Sequence, residues 1–314
     1  MEDNFKHKQV TEVSKWWNLN RNDKKWGINY EDFPTHGSRY LISRMNIALK
    51  FLDELKLKKG SNVLELGYGG GQVALEIGKR RFNTYGLDIS SKFCETATNR
   101  CHSNYPDGHF DLRVGSIESK YDFDDNYFDA VIVVGALQYL YDPNKCFEEV
   151  FRVLKPGGSF IIAQRNIYSL SNWTTLRYFC RSIIQFLCRE KFELFPSFKS
   201  ILTESRLSRI FGRFRDSKVF NSKIMLKGHD VWKFEIKKRA NSYFSLKSRL
   251  KKNGFKYIKS DGAYYAFSET PRFYSFNIKI DRILHKIAKK RIIPFLFTFG
   301  RSVVLMGEKD HREL

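Results

Sequence analysis

The sequence predicts an α/β protein built on one doubly wound sheet of seven strands. Three observations lead there. Short apolar runs alternate with helical patterns between residues 62 and 164, the first run ends in a glycine cluster, and an apolar run returns near residue 301 after a long interruption.

The first run, Asn62 to Leu66 (NVLEL), reads as a buried strand, and the glycine turn after it feeds a helix over Gln72 to Arg81. Strand, glycine turn and helix open a βαβ unit. Thr84 to Asp88 (TYGLD) gives a second strand, Ser91 to Cys101 a helix, His109 to Val114 a third strand, and Phe128 to Val134 (FDAVIVV) a fourth. Pro143 to Leu154 follows as an amphipathic helix, with proline at its start where a missing N–H costs nothing. Lys155 to Gly158 (KPGG) reads as a turn and Ser159 to Ala163 as the fifth strand.

After Gln164 the rhythm breaks. Residues 165–240 read as aromatic and basic helices without clean strands; a helix over Tyr243 to Asn253, a turn at Gly254 and a strand over Phe255 to Ser260 follow, and Arg301 to Gly307 (RSVVLMG) closes the sheet. The expected organisation is an N-terminal helical cap segment (1–55), a cofactor-binding core (56–164), a mainly helical basic cap inserted after strand five (165–240), and a C-terminal completion of the sheet with an amphipathic insertion (241–314). Trp16, Trp17, Trp26, Tyr30 and Tyr40 mark the N-terminal segment as one that packs over the sheet edge.

Composition narrows the function. With 314 residues, 42% hydrophobic and 28% charged, the chain can bury a sizeable core, so disordered, collagenous and coiled-coil classes are excluded. The start, MEDNFKHKQV, has no apolar core, and the longest uncharged apolar stretch, Ala130 to Tyr141, is far short of a membrane span; the expectation is a cytoplasmic protein, peripheral at most to the inner face of a membrane. Five cysteines without a C-x-x-C pair argue for reduced thiols and against a zinc site. Net charge is +21, and it is localised: residues 1–164 hold 22 basic and 22 acidic residues, 165–260 hold 23 and 6, and 261–314 hold 10 and 6. An excess of that size in one stretch points to a polyanion or an anionic surface.

In an open parallel sheet a ligand sits beyond the carboxyl ends of the strands, where a glycine turn lets the backbone approach it. Here the turn is Glu65-Leu66-Gly67-Tyr68-Gly69-Gly70-Gly71. A dinucleotide fingerprint would need a third glycine where Gln72 stands, so pyrophosphate binding is poorly matched. The E-x-G-x-G-x-G turn, the acidic Asp88 at the end of strand two and the L-K-P-G-G segment before strand five together resemble the class I S-adenosylmethionine-dependent methyltransferases, of the small-molecule methyltransferase-11 type. The resemblance covers residues 45–165 well and 240–310 loosely.

The resemblance implies a Rossmann-like sheet with six parallel strands and one antiparallel, and S-adenosyl-L-methionine as cofactor. On it, Gly67, Tyr68, Gly69 and Gly71 would lie against the methionine and ribose, Glu65 would orient the ammonium, Asp88 would accept from both ribose hydroxyls, and Ile89 would pack on the adenine. Ser116 stands where the family often carries an acid, so Ser116 and Ile117 offer backbone and hydroxyl only. Gly135 to Tyr139, including Gln138, would face the sulfonium.

Methyl transfer needs a base only when the acceptor is a hydroxyl. Candidates are His36, in a loop with Gly37 and Ser38, then Tyr139 and His229. The basic cap suits an anionic acceptor clamped by arginines such as Arg165, Arg177 and Arg181; a lipid- or glycan-linked acceptor at an anionic membrane, met by Trp173 to Leu187 and Ile280 to Phe299; or RNA. The first expectation is methylation of an oxygen or nitrogen on an anionic small-molecule, glycan or lipid-linked intermediate. The alternatives are an RNA methyltransferase or a non-catalytic cofactor-binding scaffold.

Overall fold

Apolar runs flanked by turn residues become strands because each can be covered on both faces. In the computed structural model, which describes residues 2–19, 36–169, 218–225, 231–238, 241–265, 274–290 and 296–310, five of them lie in parallel. They are β1 (Asn62–Leu66), β2 (Asn83–Asp88), β3 (Phe110–Val114), β4 (Phe128–Val134) and β5 (Leu154–Arg165). A separate antiparallel ribbon pairs β6 (Lys218–Met225) with β7 (Val231–Lys238). The sheet is completed by β8 (Phe255–Ala263) and β9 (Ser302–Lys309), in the order β3-β2-β1-β4-β5-β9-β8. Only β9 runs against the rest, paired antiparallel to both β5 and β8.

Helices cover the two faces and the edge where the parallel strands end. They are α1 (Glu2–Leu19), α2 (His36–Glu54), α3 (Gln72–Lys79), α4 (Ser91–Asn104), α5 (Pro143–Val153), α6 (Tyr243–Lys252) and α7 (Tyr274–Lys289). The strand period of two sorts each run between two cores. Ile132, Ile161 and Val304 pack with Ala48, Leu52 and Ile77, whereas Val131, Phe160 and Leu305 pack with Phe147, Val150 and Leu250. The near-continuous apolar runs are therefore explained by burial on both sides.

Four expectations change. Lys155 to Gly158 is not a free turn but an irregularity inside β5, where pairing with β4 jumps from Leu154 to Ser159. The stretch after strand five is not purely helical, since β6 and β7 fall in it; the sequence around β7, W-K-F-E-I-K, alternates with a strand's period, a signal masked by the overall basicity. His36, Gly37 and Ser38 form the first turn of α2 rather than a loop. The final strand runs on to Lys309. Trp173 to Leu187, Arg177, Arg181, His229, Cys180 and Cys188 lie outside the described residues. Among the described residues no helix is long and apolar enough to cross a membrane, and Cys94, Cys101 and Cys146 are free thiols.

Candidate active site

Leu66 at the end of β1 pairs with Leu87 of β2 and Val133 of β4, so the three strands end level and their following loops share one edge. Over that edge lies a cavity of about 460 Å³. Backbone bonds fix the loops to the sheet: the Gly67 amide donates to Leu87 O at 2.7 Å, and the Gly135 amide to Ala163 O at 2.8 Å.

The glycine loop shapes the first wall. Gly69 has φ +51, and nothing lies within 4 Å of where its Cβ would be, so the bare backbone opens into the cavity. Gly71 is a different case: at φ +77 a Cβ would sit 2.7 Å from Ala97 Cβ on α4, and the residue does not line the cavity. Gly71 is a packing position between α3 and α4.

Asp88 joins loop and helix. Its Oδ2 accepts from the Gly69 amide and its Oδ1 from the Ser90 amide, each at 2.9 Å, while Ser90 caps α4 by accepting from Phe93 N. One carboxylate thus orders the glycine loop and still faces the cavity. Burial pushes its pKa up to about 6 against the pull of these amides. Glu65, also on the cavity wall, is pushed up to about 8, by burial first and then by Asp88, and its Oε2 has no hydrogen-bond partner among the described residues.

Beyond Asp88 the wall is apolar: Ile89, Phe93 and Ile117, with Ser116 beside them. Glu118, which sequence reasoning passed over, also lines it, and its carboxylate accepts from the Asp142 amide at 2.6 Å. Helix α1 closes this side. Ser14 Oγ donates to Ile89 O, Ser90 Oγ donates to Asn18 Oδ1, and Trp17 packs on Phe93 and Tyr139.

The lining is completed by Gly135, Gln138, Tyr139, Tyr40, Arg44, Arg165 and Arg301. Burial pushes the Tyr139 phenol up to about 12 although Arg44 and Arg165 pull it down. A phenol so held keeps its proton at neutral pH. His36 opens α2 one turn before Tyr40, and its side chain lies outside what is described. Arg44 is 6% exposed; its Nη1 donates to the Tyr40 hydroxyl at 3.3 Å, its Nε has no partner among the described residues, and a Cβ on Gly135 would collide with it at 2.6 Å. A sequence signal for Arg44 existed: it interrupts the apolar stripe Leu41, Met45, Ala48, Leu52 on α2's buried side.

Residues 64–162 match the family model of a methyltransferase domain. That segment is a class I S-adenosylmethionine-dependent methyltransferase domain. Over 108 residues the methyltransferase domain is 33% identical to the 2-phytyl-1,4-naphtoquinone methyltransferase of Trichormus variabilis, covering 33% of this chain and 47% of that protein. It is 36% identical over 112 residues to phosphoethanolamine N-methyltransferase 2 of Caenorhabditis elegans, covering 33% of this chain and 24% of that one. The chain spans about half the length of the first of these relatives. The fold is similar to a SAM-dependent methyltransferase from Methanosarcina mazei, with TM-score 0.50 and 18% identity over 82% of this chain and 97% of that one.

Proposed function

We propose that this chain transfers a methyl group from S-adenosylmethionine to an oxygen or nitrogen of a small acceptor: an anionic small-molecule, glycan or lipid-linked intermediate. The carrying observation is the Asp88 carboxylate, locked to a glycine whose missing side chain leaves backbone open to the cavity. Orphaned polar atoms fit the cofactor's groups. Glu65 Oε2 lacks a donor and would meet the ammonium; Arg44 lacks a carboxylate among the described residues and would meet the α-carboxylate; Asp88 would take the ribose hydroxyls. The two relatives are named for a naphthoquinone and for phosphoethanolamine, which supports a small acceptor over RNA.

When bound, S-adenosylmethionine supplies a methyl group already activated by its sulfonium. The protein's part is alignment and a dry, ordered cavity. Trp16 and Trp17 exclude water from one side, the protonated Tyr139 orients by donating, and His36 stands as the base for a hydroxyl acceptor. Calorimetry with S-adenosylhomocysteine tests the reading. Binding is expected, and Asp88→Ala weakens it by about 1.5 to 3 kcal/mol, roughly 10- to 150-fold. Folded protein that binds none at millimolar ligand would overturn it.

A further inference from the structure

The cavity wall carries both signs of charge. Its acids, Glu65, Asp88 and Glu118, stand at or beside the glycine loop and the strand-three turn, and its cations, Arg44, Arg165 and Arg301, stand around Tyr40 and Tyr139. The Arg44 and Arg301 guanidiniums lie 5.1 and 4.5 Å from the centroid of the same Tyr40 ring. Arg165 and Arg301 are brought together by the antiparallel pairing that sets Arg165 opposite Ser302, with the Asn166 amide donating to Arg301 O. Among the described residues neither Arg44 nor Arg165 has a carboxylate within ion-pair distance.

Like charges gathered in a cavity repel, and the buried Arg44, taken from water, is costly unless an anion meets it. The cofactor leaves Arg165 without an anion. Its one carboxylate is spent on Arg44, and with an ammonium and a sulfonium it brings a net positive charge of its own. We infer that the acceptor carries an oxyanion, a phosphate or carboxylate group, and that Arg165 and Arg301 hold it beside Tyr139. This rests on the methyl-transfer reading and adds the residues that select the acceptor.

The test uses the full chain saturated with S-adenosylhomocysteine and titrated with inorganic phosphate or with acetate, at ionic strength held constant by sodium chloride. Saturable millimolar binding of at least one of them is expected, with a matching rise in melting temperature. Arg165→Gln, an exposed position that does not risk the fold, should weaken it at least fivefold; Arg301→Gln should do the same, and Arg165→Lys should retain part. S-adenosylhomocysteine affinity should stay within twofold in Arg165→Gln and fall in Arg44→Gln. If the homocysteine ligand binds but neither oxyanion saturates, or Arg165→Gln binds phosphate and acetate as wild type does, the inference is overturned while the cofactor reading stands. If that ligand does not bind, the cofactor reading fails, and the same titration of the free protein still decides whether these arginines hold an oxyanion.

Discussion

At Glu65 and Asp88 burial costs the charged form more than the neighbouring amides return, so both carboxyls keep their protons to higher pH than in water, to about 8 and about 6. The unfolded chain ionises them first. Free protein therefore loses stability as pH rises from the ordinary carboxylate range through these values, because the folded state binds more protons there. A ligand that offers an ammonium to Glu65 and hydroxyls to Asp88 favours the ionised forms and releases the protons. Melting curves between about pH 5 and 9 should show the free protein weakening while the S-adenosylhomocysteine-induced shift grows. In Asp88→Asn the part of that growth near pH 6 should vanish. A ligand shift that shrinks with rising pH would contradict the assignment.

Between elements, the glycine motif divides into two jobs that its letters do not distinguish. Gly69 faces open space, whereas Gly71 is clamped against Ala97, whose Cα lies 2.8 Å from a built Cβ. Gly69→Ala has only a left-handed backbone to support and should cost about 1 kcal/mol of stability, while S-adenosylhomocysteine affinity falls tenfold or more. Gly71→Ala must part α3 from α4 and should cost about 2 to 4 kcal/mol in urea unfolding. Equal stability losses at the two positions would show that both are packing glycines. The spacing of the motif was legible because a strand, a tight turn and a helix follow from neighbouring residues. Which glycine meets the ligand was not, because Ala97 arrives from another helix. The β6–β7 ribbon was misread for a related reason: composition was weighed over period in a stretch crowded with lysine and arginine.

Across the whole molecule, the last strand is pinned to the segments around β4, α5 and β5. Lys309 is buried, and its ammonium donates to Asn126 Oδ1, Phe151 O and Leu154 O at 2.8, 2.8 and 2.9 Å. A buried cation with all three donors used is satisfied, and removing it strands three acceptors. Lys309→Ala should lower stability by about 2 to 4 kcal/mol in urea unfolding, with S-adenosylhomocysteine affinity of the folded fraction unchanged. A loss below about 0.5 kcal/mol would mean the ammonium is no more than a surface charge.

By itself the sequence determined the alternation of strands and helices, the place of the glycine turn and the acid that follows it, because those depend on residues near one another in the chain. Tertiary structure alone decided that Arg44 and Arg301 join Gln138, Tyr139 and Arg165 on the cavity wall. Arg44 comes there on a helix whose apolar stripe it breaks, and Arg165 meets Arg301 only because β9 enters antiparallel beside β5. Such meetings depend on sheet order and register, and no local spacing encodes a pair of residues 136 positions apart.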